Sequence, residues 1–144
     1  IVAEKCDYFQ ELFSLSNHHE PDLRLYLGFK KKELLAGSIV AFHATTAYYL
    51  HSAASLSGRE YMASYAILWR AIRDARKKGC ENFDLFGIPP TKDPEHPMHG
   101  LYRFKTRFGG DVRHFRGCWD YPFKEKEYAF LAYAAGGLNP FHEK

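Results

Sequence analysis

Apolar positions open the chain at helical spacing: Tyr8, Phe9, Leu12 and Phe13 predict a helix over Asp7 to Leu15, and Asn17 to Pro21 end it with turn formers and a proline. The period then changes to two. Leu23, Leu25, Leu27 and Phe29 alternate with Arg24, Tyr26 and Gly28, which predicts a half-buried strand with the leucines inward. Lys30 to Glu33 is a polar turn. Leu34 to His43 is nearly all apolar or small and reads as a central strand, and Ala47 to Ala53 follows the Thr45-Thr46 connection as a third, giving a meander. From Ser57 the helical period returns, with Tyr61, Tyr65, Leu68, Trp69, Ile72 and Ala75 on one face and Arg70, Arg73, Asp74, Arg76 and Lys77 on the other. Ser57 with Glu60 matches a capping box, and Gly79 is the stop. Phe83 and Leu85 mark a short strand, and Ile88 to Pro97 carries four prolines and predicts an irregular loop. A helix over His99 to Phe108 ended by Gly109-Gly110, a strand over Val112 to Tyr121 and a last helix over Lys124 to Ala135 complete the pattern. Tyr48, Tyr49, Trp69, Phe83, Phe86 and Trp119 are expected mostly in the core.

The order α-β-β-β-α-β-α-β-α predicts an α/β (α+β) fold, a mixed sheet flanked by helices. It is similar to the core of the GNAT acyltransferases. The 144 residues fit one domain spanning 1–144, and an apolar fraction of 46% with 17% aromatics supplies a core. A net charge of +3 with 26% charged residues gives no global attraction to a polyanion, so a basic site has to come from local clustering. Cys6, Cys80 and Cys118 are odd in number and far apart, which argues against a disulfide framework or thiolate metal site and for a reducing, cytoplasmic setting. His18, His19, His96, His99, His114 and His142 lack ligand spacing with a carboxylate or thiol partner, so no metal is expected. No apolar run reaches the roughly 18 residues that cross a bilayer. The first residues, Ile-Val-Ala-Glu-Lys-Cys-Asp, read as the inside of a helix, and the chain is expected to be the C-terminal half of a longer enzyme.

Two segments carry candidate chemistry. At the strand-to-helix junction Ser52 to Glu60, the Arg/Gln-x-x-Gly-x-Gly/Ala turn with which GNAT acetyltransferases hold a pyrophosphate is absent, and Gly58 is followed by the bulky Tyr61 and Met62. This argues against acetyl-CoA, and no cofactor is expected. Arg59 places a cation beside a predicted helix N-terminus, where an anion would be needed to balance it. Arg59 and Tyr61 are substrate-binding candidates. In His99 to Gly110, Leu101, Phe104 and Phe108 form a buried stripe, while Tyr102 and Lys105 fall three apart on an adjacent face, within reach of one ligand atom. A solvated flank is the alternative for Lys105. Basic residues gather at Arg70, Arg73, Arg76, Lys77 and Lys78 and again at Arg103, Lys105, Arg107, Arg113 and Arg116, a pattern that suits an RNA backbone or a solvated helix face. Asp84 follows an apolar strand position and is either structural or lines the cleft.

Tyr49 to Ser55, Arg59, Ser64 to Ile72 with Ala75 and Gly79, Phe83 to Ile88, and Gly100 to Lys105 with Phe108-Gly109-Gly110 and Gly117 together resemble the second GNAT-like subdomain of the FemABX family, the methicillin-resistance-protein-like aminoacyltransferases. The resemblance covers nearly the whole chain. It implies an aminoacyltransferase that takes an amino acid from aminoacyl-tRNA and joins it to an amine of a peptidoglycan precursor in cross-bridge formation. It also implies a catalytic Lys105 that stabilises transition-state charge and engages the tRNA end. Tyr102 would position substrate or relay a proton, with Arg103 and Arg107 binding substrate. A lipid-linked precursor would bring the protein into peripheral contact with a membrane. The alternatives are an N-acyltransferase acting on another amine, in an exopolysaccharide or lipid pathway, and a non-catalytic module that binds tRNA or muropeptide.

Overall fold

The computed structural model describes residues 5–16, 20–89, 91–115 and 120–134. The chain divides into two compact units, Ile1–Gly110 and Asp111–Lys144, taken one at a time below.

In the first unit α1 (Cys6–Ser16) precedes the meander β1 (Asp22–Lys30), β2 (Glu33–His43) and β3 (Thr46–Ala54). Then come α2 (Leu56–Glu60), α3 (Ala63–Lys77), β4 (Asn82–Asp84) and α4 (His99–Thr106). The sheet order is β1-β2-β3-β4. β1, β2 and β3 are antiparallel neighbours, and β4 joins β3 in parallel, with Tyr48 opposite Asp84. A parallel partner requires a crossover, and α2 and α3 are that crossover. The proline-rich stretch between β4 and α4 is irregular, as expected.

The core lies between α3 and one face of the sheet. Val40, Phe42, Ala47 and Tyr49 pack on Leu68, Ala71 and Ala75, with Phe104 of α4 and Phe108 just after it against the same cluster. Ile67 and Ala63 meet Leu35 and Ala36 beside it. Leu68 is fully buried. Replacing it with alanine removes apolar atoms from a site walled by sheet and helix, and Leu68→Ala is expected to lower the unfolding free energy by about 2–5 kcal/mol in urea titrations. A loss near zero would mean that α3 does not seat on the sheet as described.

Three expectations change. The strand over Val112 to Tyr121 is not formed: residues 111–115 and 120–121 have no regular structure, and 116–119 lie outside the described residues. The helix expected from Ser57 to Gly79 is two helices. Met62 takes the left-handed conformation (φ 52°, ψ 33°) between α2 and α3, and the cap of α2 is Ser55, whose Oγ accepts from Gly58 N at 2.9 Å. Ser57 Oγ instead donates to Glu33 at 2.5 Å, so the Ser57/Glu60 capping box does not exist. The third change is the face of β1. Tyr26 and Gly28 turn to α3, while Leu25, Leu27 and Phe29 are 53%, 46% and 59% exposed. Gly28 fits this packing: a Cβ there would lie 3.0 Å from Ile67 Cγ2, a contact tight enough that the isoleucine would have to shift. On the opposite face α1 touches the sheet through His51, with Tyr8 Oη at 3.2 Å from its Nε2 and the Phe9 ring at 5.3 Å.

Trp69 and Phe86 are exposed, against the expectation of core positions, while Tyr49 is buried and Tyr48 and Phe83 are half-buried. Trp119 lies outside the described residues. In the second unit α5 (Glu125–Ala134) buries Ala129, and Tyr128 Oη donates to Asp120 at 2.5 Å.

Candidate functional site

α4 forms where the irregular loop ends, and it stays in place because every third or fourth residue is aromatic or aliphatic. Phe104 packs edge-on against Tyr65 at 4.8 Å, and Phe108 stacks on the same ring at 5.4 Å. Gly109 and Gly110, at φ of 79° and 86°, carry the chain out of the helix in a conformation that only glycine takes freely.

Lys105 follows Phe104 and is the one buried residue of α4, 8% exposed. It is therefore not a solvated flank. Its Nζ donates to the backbone carbonyl of Gly87 at 2.7 Å, a charge-assisted bond across the proline-rich loop. Burial pushes the ammonium's pKa down from the ordinary lysine value, and the Asp84 carboxylate opposes that shift. Asp84 also accepts from Phe86 N at 2.7 Å. Lys105, Gly87 and Asp84 thus form one cluster at the C-terminal end of β4, where strand ends and loops gather the reactive groups of α/β proteins.

The other candidates distribute as follows. Tyr102 is half-buried and lies parallel to the His99 imidazole at 6.3 Å, one turn before Lys105 on α4. Arg103 on the same helix and Arg107 at its C-cap are exposed and present cations to solvent. Arg59 and Tyr61 belong to a different place. Arg59 lies in the last turn of α2, where the helix dipole favours a cation, so no anion is needed to explain it. Tyr61 is exposed and holds Lys30, whose Nζ sits over the ring at 3.6 Å and meets the phenol oxygen. The described hydrogen bonds and ring contacts link neither residue to Lys105. On α3, Arg70 is paired with Asp74 at 2.9 Å, while Arg73, Arg76 and Lys77 line a groove of about 650 Å³ with Trp69 and Ile72. Arg113 is exposed and Arg116 lies outside the described residues.

Sequence reading singled out Lys105, and Asp84 as structural or cleft-lining, but not Gly87. Gly87 contributes only a carbonyl oxygen, which no side-chain pattern reveals, and it acts 18 residues from the lysine. Among the described residues no group of three or more His, Cys, Asp or Glu is placed to hold a metal ion.

The arrangement offers a desolvated, tethered ammonium beside a loop. Such a group can stabilise negative charge developing on an oxygen, and it acts more strongly in a dry site than in water.

Comparison with known proteins agrees with the residue pattern. A lipid II:glycine glycyltransferase of Staphylococcus aureus (strain USA300) is 28% identical over 132 residues, which cover 90% of this chain and 28% of that protein. The enzyme of the same name from Staphylococcus haemolyticus (strain JCSC1435) is 28% identical over 99 residues, 67% of this chain and 23% of its own length. The chain therefore spans about a quarter of the length of these relatives. The crystal structure of FemX matches 69% of this chain and 22% of its own, with 23% sequence identity and a TM-score of 0.46. Residues 25–135, which run from within β1 through α5 and include Lys105, match the FemAB family, and the chain belongs to it.

Proposed function

We propose that this chain supplies the charge-stabilising lysine for transfer of an amino acid from aminoacyl-tRNA to an amine of a peptidoglycan precursor, the step that builds a cross-bridge. The observation that carries the reading is the buried ammonium of Lys105 at the end of β4. An amine attacking an aminoacyl ester raises negative charge on the carbonyl oxygen, and a preorganised ammonium lowers that barrier. The nucleophile is the substrate's own amine, so the protein needs no serine or cysteine nucleophile. Tyr102, on the turn before Lys105, positions substrate. Arg103 on α4 and Arg107 at its C-cap, with Arg59 in the last turn of α2 and Tyr61 just after it, bind the anionic parts of donor and acceptor. The relatives named for lipid II support a lipid-linked acceptor. Among the described residues no helix is long and apolar enough to cross a membrane. Use of aminoacyl-tRNA would place the transfer on the cytoplasmic side, in peripheral contact with such an acceptor. The chain acts as one part of that enzyme, spanning about a quarter of the length of its relatives.

The test uses the complete protein with a lipid-linked precursor and a panel of aminoacyl-tRNAs labelled in the amino acid. Label is expected on the precursor amine, abolished by ribonuclease treatment of the donor and not replaced by acetyl-CoA. Binding of both substrates with no transfer would point to a non-catalytic module. Transfer from acetyl-CoA would return the chain to the ordinary acetyltransferases.

A further inference from the structure

The chain leaves β4 through an unusual turn. Asp84 is the last residue of the strand, opposite Tyr48 in parallel register. Its Oδ1 accepts from Phe86 N at 2.7 Å. Phe86 takes φ 61°, a conformation that bulky residues avoid, and its exposed ring meets Tyr48 edge-on at 6.4 Å. The next residue, Gly87, turns its carbonyl to Lys105 Nζ at 2.7 Å. A left-handed phenylalanine persists only where its surroundings hold it, and such outliers gather at functional sites. What holds it here is the Asp84 carboxylate on one side and the Tyr48 ring on the other.

We propose that Asp84 is a positioning residue for Lys105: its carboxylate clamps the left-handed turn at Phe86, and the turn aims the Gly87 carbonyl that tethers the ammonium. This deepens the reading of Lys105 given above and rests on it for its catalytic meaning, although the clamp itself is a property of this chain. The same carboxylate also favours the charged form of Lys105 against the burial that disfavours it. Among the described residues Asp84 is the charged group that bears on the lysine. Tyr49 and Tyr65 pack against Phe104 on the aromatic side of α4, Tyr102 is on α4 itself, and Tyr48 lies beside Phe86.

Two substitutions separate the two effects. Asp84→Asn keeps an oxygen to accept from Phe86 N but removes the charge. Asp84→Ala removes both. In the complete protein, trace acetylation with acetic anhydride across a pH series, read lysine by lysine in a mass spectrometer, gives the reactivity and titration midpoint of Lys105 against exposed references such as Lys92 and Lys124. Unaltered protein is expected to label Lys105 more slowly than the references. Asp84→Asn is expected to keep that protection while the midpoint of Lys105 moves down. Asp84→Ala is expected to raise Lys105 labelling about 10-fold, with kcat for transfer falling by about the same factor and KM unchanged. Asp84→Asn then recovers most of that kcat.

The clamp is overturned if Asp84→Ala leaves the labelling of Lys105 unchanged, or if the labelling of Lys105 rises only in step with a fall in melting temperature while kcat and KM stay as they were, which marks a merely structural role. Should the alanine variant not fold, Asp84→Glu decides, because it keeps the charge but displaces the carboxylate by one methylene from Phe86 N, and unchanged protection of Lys105 there overturns the proposal. If labelling changes as expected and transfer does not, the clamp stands and the catalytic reading of Lys105 fails.

Discussion

Lys105→Met in the complete protein is expected to reduce transfer by about 100- to 1000-fold, the range seen when one preorganised donor to a developing oxyanion is removed. Methionine is unbranched and similar in length, so it fills the space of the lysine stem and the fold should survive. The Gly87 carbonyl loses its partner, which costs about 1–3 kcal/mol of stability and leaves the loop looser. The decisive pattern is a kcat collapse with an unchanged circular dichroism spectrum and nearly unchanged KM for the precursor. Normal turnover would remove Lys105 from the mechanism. The charge also sets a direction with pH. Burial lowers the pKa of Lys105, so transfer that depends on the ammonium is complete below that folded value and declines as pH rises through it. The alkaline limb should therefore begin below the ordinary lysine range, and it should be absent from whatever activity Lys105→Met retains.

Gly58→Ala is expected to have the largest effect on stability of any alanine placed at the described glycines. A Cβ at this position would lie 1.9 Å from the backbone oxygen of Leu35 and 2.8 Å from its carbonyl carbon. Both are backbone atoms of β2, so no side chain can swing away, and either α2 or the strand must move. That movement breaks the bond from Ser55 N to Leu35 O at 3.0 Å and disturbs the cap from Gly58 N to Ser55 Oγ. Overpacking of this kind, together with one or two lost hydrogen bonds, amounts to about 3–4 kcal/mol. Urea titration of Gly58→Ala measures it, and an unchanged midpoint would mean that α2 does not sit on β2. The same contact explains the lone glycine at the junction. It serves close approach of helix to strand.

The pattern of the sequence carried most of the elements because their periods are strong. The leucines of β1, the apolar run of β2 and the face of α3 each repeat several times, and errors at single residues average out. What periodicity cannot say is which side is covered. Leu25, Leu27 and Phe29 have the side chains expected of an inner face, yet α3 packs on the Tyr26 and Gly28 side, where the absence of a side chain at Gly28 leaves room for Ile67. Nor can periodicity see the break at Met62, which no glycine or proline marks. Residues 111–115, the start of the strand expected over Val112 to Tyr121, pair with no neighbour among the described residues. At the site, Lys105 was legible as a basic residue on the aromatic helix α4. Its burial was not, since the helical period put it beside the apolar stripe and not under the loop. Asp84 and Gly87 reach it through a turn whose geometry depends on one strained phenylalanine, a feature without a composition signature.

The tether between Lys105 and Gly87 bears on a hazard built into the proposed chemistry. A lysine held near an activated ester is itself an amine, and in its neutral form it would compete with the substrate and acylate itself. An ammonium has no lone pair and cannot. The Gly87 carbonyl and the Asp84 carboxylate both favour the protonated form, so the loop that aims the charge also keeps the lysine a bystander to the bond being made.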